Sequence, residues 1–236
     1  MSRTLCITHT ESEHLGHLGT WLSEEGLDLH VVEPWRGDDL PSLDGYAALV
    51  VMGGPQQAYD DTSAPWLRDT KALLRSAVAA ELPTFGVCLG AQLLAEATGG
   101  CVEPGEHGPE VGAKLVARRD AAGNDPLFWD LPLSPMVIQW HWDAITELPA
   151  GATLLMSGTT YPNQAFRVGT AAWGIQFHIE ADADMLNRLA EHNAADLAQD
   201  GRDALAIVGR ALTELEEVQE VWSEVLRRFA RLVLAR

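Results

Sequence analysis

The chain has 236 residues, 47% of them hydrophobic, with 16 basic against 34 acidic side chains and a formal charge of −18. That length suffices for a sizeable core, and a balance this acidic repels phosphate backbones and anionic lipid surfaces, so no nucleic acid and no membrane partner is expected. No apolar run is long enough to span a bilayer, and three scattered cysteines (6, 88 and 101) make no disulfide framework.

The N-terminus runs directly into the strand-like Leu5–Thr8 without a signal-peptide pattern, so a reducing, cytoplasmic setting is expected. Leu15, Leu18 and Leu22 then recur at helical spacing up to Gly26. His9, Glu11, Glu13, His14 and His17 cluster in between. Their spacing matches no metal-ligand set, and they read as a solvated loop opening a helix. Leu29–Val32 and Tyr46–Met52 form the next strands, the latter apolar enough for burial on both faces. A helix follows from about Pro65, which suits the N1 position, to about Ala80. Strand–helix alternation of this kind predicts an α/β fold with a mainly parallel sheet and helices on both faces.

The next strand, Pro83–Phe85, leads into Gly86-Val87-Cys88-Leu89-Gly90. A cysteine between two glycines at a strand-to-helix junction is the thiol form of a nucleophile elbow: the glycines remove β-carbons where the turn is tightest. The helix from Ala91 to Thr98 can end on Gly99, and Cys88 at its N-terminus is favoured as thiolate. A buried core cysteine is the bland alternative.

The second half changes rhythm. Segments 111–116, 136–140, 153–156, 164–168 and 172–178 read as strands separated by turn residues, with little helix between them. The segment Gly174–Glu180 ends a strand with His178 and Glu180 at i and i+2. In an extended chain both side chains point the same way, so Glu180 can reach one ring nitrogen while the other faces Cys88. Met52-Gly53-Gly54-Pro55 lies at a strand's carboxyl end, where the Gly54 N–H joins that of Leu89 as a two-donor oxyanion hole. From Asp182 the chain is helical, broken near Gly201, giving a catalytic domain over 1–181 and a helical C-terminal extension over 182–236. The apolar stripe through Leu215, Trp222, Leu226 and Phe229, widened by Leu212, calls for packing on the chain's own domain or at an interface.

Together these motifs resemble the class I (triad) glutamine amidotransferases, over most of residues 45–181. The resemblance implies a flavodoxin-like sheet and a triad of Cys88, His178 and Glu180; the chain has no phosphate-loop motif and no metal-ligand spacing, so no cofactor or metal is expected. It also implies that Gln92 meets the amino-acid end of glutamine. Gly53 and the segment Trp140-His141-Trp142-Asp143, similar to the family's His-x-Asp element, would line the pocket. The implied activity is hydrolysis of the glutamine side-chain amide through a γ-glutamyl thioester, with ammonia passed to a separate synthase subunit. A γ-glutamyl hydrolase working alone is the second reading, and a regulatory protein retaining the fold the third; a homodimer is left open. Ile179 stands where the family has proline, and its β-branch keeps the backbone extended. Trp140 and Trp142 replace small residues, which narrows the pocket or aims it at another γ-glutamyl amide.

Overall fold

The computed structural model describes residues 2–236. Its centre is an eight-stranded sheet in the order β2-β1-β3-β4-β12-β11-β10-β7. The first five are β2 (Asp28–Val32), β1 (Arg3–Ile7), β3 (Ala48–Val51), β4 (Thr84–Val87) and β12 (Ala172–Ile175), and they pair in parallel. The rest, β11 (Ala165–Val168), β10 (Thr153–Ser157) and β7 (Ala117–Arg118), extend the sheet antiparallel. Two ribbons stand apart, β5 (Cys101–Pro104) with β9 (Asp143–Glu147) and β6 (Glu110–Leu115) with β8 (Met136–His141). This is the expected flavodoxin-like arrangement. The short strands β5, β7 and β9 carry no sequence signal of their own.

Because alternate residues of a strand face opposite sides, the parallel sheet divides the interior into two cores. Leu5, Ile7, Leu49 and Val51 face α2 (Trp66–Ala79) and α3 (Leu89–Ala97). Pro65 caps α2 from the position before its first residue, one place earlier than expected. Cys6, Val50, Phe85, Val87 and Trp173 face the other way, toward α1 (Gly16–Glu24) and α5 (Ala204–Leu234). The helix α4 (Ala183–Gln199) starts at Asp182, whose carboxylate accepts the Met185 N–H at 2.8 Å, and Asp203 caps α5 in the same way.

The stripe on α5 is buried against this second core. Phe229 meets the edges of Phe85 and Trp173 at centroid distances of 5.6 and 6.2 Å, and Trp222 lies 4.9 Å from Phe177. The Trp222 indole N–H donates to the Met136 carbonyl. Leu212 is the exception: it lies at the stripe's margin and is exposed. No helix among the described residues is long and apolar enough to cross a membrane.

Candidate active site

The carboxyl ends of β3, β4 and β12 meet at one edge of the sheet, where ligands of open α/β sheets bind. Cys88 stands there at the apex of the β4–α3 turn with φ +50° and ψ −107°, a conformation that costs a side-chain-bearing residue on the order of 1–3 kcal/mol. The flanking glycines make the turn possible. A β-carbon on Gly86 would lie 2.7 Å from the Gly90 carbonyl, and one on Gly90 would lie 2.0 Å from the Val51 oxygen. The Cys88 N–H donates to the Ile175 carbonyl at 2.8 Å, tying the elbow to β12.

Regular strand structure ends at Ile175, three residues before His178, because the chain here leaves β12 to pair with β8. The His178 N–H donates to the Ile138 carbonyl at 2.7 Å, an isolated bridge that keeps the backbone extended. Glu180 Oε1 consequently sits 2.7 Å from His178 Nδ1, with both residues fully buried. Nε2 has no hydrogen-bond partner among the described residues, and a ring nitrogen of His178 stands within 4.8 Å of Cys88 Sγ. Burial opposes charge on the ring, but Glu180 and Cys88 outweigh it and hold the imidazole well above its ordinary range. Burial pushes the Cys88 thiol up while His178 pulls it back down. Cys6, buried in β1 with no such partner, is pushed up to about 12 and is an inert core thiol.

Leu89 is the first residue of α3, so its N–H has no acceptor inside the helix. Gly54 packs beside it: a β-carbon there would meet Leu89 Cδ2 at 3.1 Å and His9 Cβ at 2.6 Å. The side-chain amide of Gln92 donates to the Asp143 carbonyl and to Gln176 Oε1, both at 3.2 Å, and Gln176 in turn donates to Cys88 Sγ at 3.8 Å. Gln176 thus belongs to the cluster. It lies two residues before His178, and the same i, i+2 reasoning that pairs His178 with Glu180 would have found it.

Trp140, His141 and Trp142 come from β8 and the turn that follows it. The Trp140 carbonyl faces Cys88 Sγ at 3.9 Å, and its indole N–H donates to Asn193 of α4 at 2.8 Å. His141 is buried, with Nδ1 against the Asp143 carbonyl at 2.8 Å and Nε2 3.3 Å from Glu110. A cleft of about 650 Å³ opens over Cys88; Gly54, Gln92, Trp140, His141 and Trp142 line it, and so do Leu189, His192 and Asp196 of α4.

The polar run after β1 departs from expectation. It is solvated only in part: Glu11 is exposed and His14 and His17 are half-buried, but His9 and Glu13 are buried. His9 is buried, accepts the Trp66 indole N–H at 3.1 Å and is lowered to about 3 by burial. Glu13 is 5% exposed and puts a carboxylate oxygen within 4.8 Å of both Cys88 Sγ and the His178 ring nitrogen. Gly16 explains the fold of this segment: with φ +47° and no β-carbon, it lies against the Glu180 carbonyl, which accepts the His17 N–H at 2.9 Å. Glu13, Cys88 and His178 each offer one donor atom at a spacing a metal ion would also fit. With Glu180 holding the opposite ring nitrogen of His178 at 2.7 Å, the three groups form a buried acid–thiol–imidazole cluster.

The family model "Glutamine amidotransferase class-I" matches residues 19–189. The chain belongs to the class I glutamine amidotransferase family. A solved glutamine amidotransferase from Thermotoga maritima superposes with a TM-score of 0.86 at 30% identity, covering 97% of this chain and 98% of that one. The glutamine amidotransferase-like protein YfeJ of Salmonella typhimurium is 29% identical over 81% of each chain. Gamma-glutamyl peptidase 3 of Arabidopsis thaliana is 26% identical over 88% of this chain and 84% of its own. A GMP synthase of Porphyromonas gingivalis is 34% identical over 58% of this chain but only 26% of its own length.

Proposed function

We propose that the protein hydrolyses the side-chain amide of glutamine or a related γ-glutamyl amide through Cys88, His178 and Glu180. The observation that carries this reading is the strained thiol facing an otherwise unpartnered ring nitrogen, with a buried carboxylate 2.7 Å from the opposite nitrogen. Cys88 sulfur attacks the γ-carbonyl carbon, and the oxyanion rests on the N–H groups of Gly54 and Leu89. Collapse breaks the C–N bond, His178 gives its proton to the departing nitrogen, and a γ-glutamyl thioester remains. Water deprotonated by the same ring then releases glutamate. Glu180 holds the tautomer and offsets the imidazolium charge, and Gln176 donates to the thiolate. Gln92 and the Trp140–Trp142 wall hold the amino-acid end, while Gly53 does not line the cleft and lies behind it against Glu13 and the His178 ring.

In one reading the nitrogen passes to a separate synthase, as the partial match to a GMP synthase suggests. A second reading, hydrolysis of larger γ-glutamyl amides without a partner, is favoured by the cleft's extension to α4 and by the match to a γ-glutamyl peptidase along most of both chains. Glutamate release from glutamine and from γ-glutamyl dipeptides by the purified protein separates the two. Faster dipeptide cleavage supports the second, and Cys88→Ala should abolish both activities. Release that survives in Cys88→Ala would overturn the triad.

A further inference from the structure

We propose that Glu13 is a positioning residue whose carboxylate accepts an N–H hydrogen from the scissile amide and so points the leaving nitrogen at His178. This rests on the hydrolytic reading above and adds a fourth side chain to it. A glutamate is almost never this buried without a partner. Glu13 is 5% exposed and lines the cleft, and its carboxylate accepts no hydrogen bond among the described residues, so its oxygens are left to face the cleft beside the His178 ring. The fold makes space for it. A β-carbon on Gly53 would lie 2.1 Å from Glu13 Oε2 and 3.2 Å from His178 Cε1, so the carboxylate occupies the room that this glycine leaves beside the ring.

The chemistry of the third corner follows from the other two. With Glu13, Cys88 and His178 mutually within 4.8 Å, a group held by any two of those atoms lies within reach of the third. The carbon under attack is bound to sulfur, and the nitrogen is aimed at the ring. The carbonyl oxygen offers no hydrogen and is drawn to the Gly54 and Leu89 N–H groups. The amide N–H is the donor left for a carboxylate. In the acylation step, sulfur gains the acyl carbon, the C–N electron pair goes to nitrogen, and His178 supplies the proton. Glu13 only holds a hydrogen that the nitrogen already bears. The cleft suits a basic product: Glu13, Asp60, Asp143 and Asp196 line it, with no lysine or arginine among the lining residues. Burial, opposed by His178 and reinforced by Glu180, pushes the Glu13 carboxyl up to about 7, so a hydrogen-bond donor that favours the ionised form has something to gain there.

The test compares an amide with an ester, whose leaving oxygen has no hydrogen to donate. Glu13→Ala, which removes the acceptor oxygens, should lower kcat/KM for glutamine by roughly 10–100-fold, the worth of one charge-assisted hydrogen bond, with kcat/KM for γ-glutamyl methyl ester changed less than about three-fold. Glu13→Gln, which keeps an acceptor oxygen without the charge, should show a smaller loss of the same amide-selective kind if Glu13→Ala folds poorly. Equal losses on amide and ester, the pattern for a carboxylate that binds the substrate's α-ammonium group or merely supports the loop, would overturn the proposal. So would no loss on either. A wild-type protein inactive on both substrates would remove the hydrolytic reading and this inference together, whereas a variant-only loss on both removes the inference alone.

Discussion

Holding Glu13 unpaired in the interior should show as a pH-dependent cost to stability, and its size follows from the site. The carboxyl titrates at about 7 in the folded chain against an ordinary 4.5. An acid raised in this way keeps its proton in the folded state while the unfolded chain has already released it. Between about pH 4.5 and 7 the unfolded state therefore binds fewer protons, and stability falls as pH rises. Integrated over that window, the loss is about 3 kcal/mol, complete above roughly pH 7.5 and absent below roughly pH 4. Glu13→Gln keeps the shape and removes the titration. The difference in unfolding free energy, variant minus wild type, should grow by about 3 kcal/mol between pH 4.5 and 7.5. In a chain of this length that corresponds to about 6–12 °C in the difference of melting temperatures. Other groups titrate in both proteins and largely cancel in the difference. Urea unfolding at several pH values measures it directly. A difference flat with pH would mean that Glu13 is solvated or paired in the folded protein, and the account of its burial would be wrong.

Two further perturbations test the rest of the site and its support. Glu180→Gln should lower kcat by roughly 10²–10⁴ with little change in KM, since the acid orients and charge-balances His178 rather than binding substrate; near wild-type turnover would assign the ring to another acid. Truncation after Gly201 removes Leu215, Trp222, Leu226 and Phe229 from the core and bares Phe85 and Trp173. Four such side chains contribute on the order of 6–12 kcal/mol, comparable with the whole stability of a domain, so the truncated chain should be insoluble or unfolded. A soluble, active truncation would show that α5 is dispensable to the core.

What was legible in the sequence, and what was not, divides along the range of the interactions concerned. The elbow is a local steric object: Gly86 and Gly90 lie four residues apart and face one another across the turn, so their spacing alone announces it. The long strands and helices show their periods, and α5 shows a stripe wide enough to require a partner. Strands β5 and β9 do not, because a four- or five-residue ribbon over a cleft is held by its cross-strand partner rather than by its own pattern. The burial of Glu13 is hidden in the sequence for a related reason. Three histidines and two acidic residues in nine positions look solvated, and the segment is folded inward where a glycine at φ +47° packs on a carbonyl 164 positions away in the chain. A usable signal existed all the same. The run follows directly on β1, and in a parallel sheet the carboxyl end of β1 opens on the same edge as those of its neighbours β3, β4 and β12. Thr10, Ser12 and Glu13 accordingly line the cleft over Cys88, whatever the composition of the run suggests. An acid placed at that edge, with a glycine behind it on the next strand, is therefore better read as facing the ligand than as facing water.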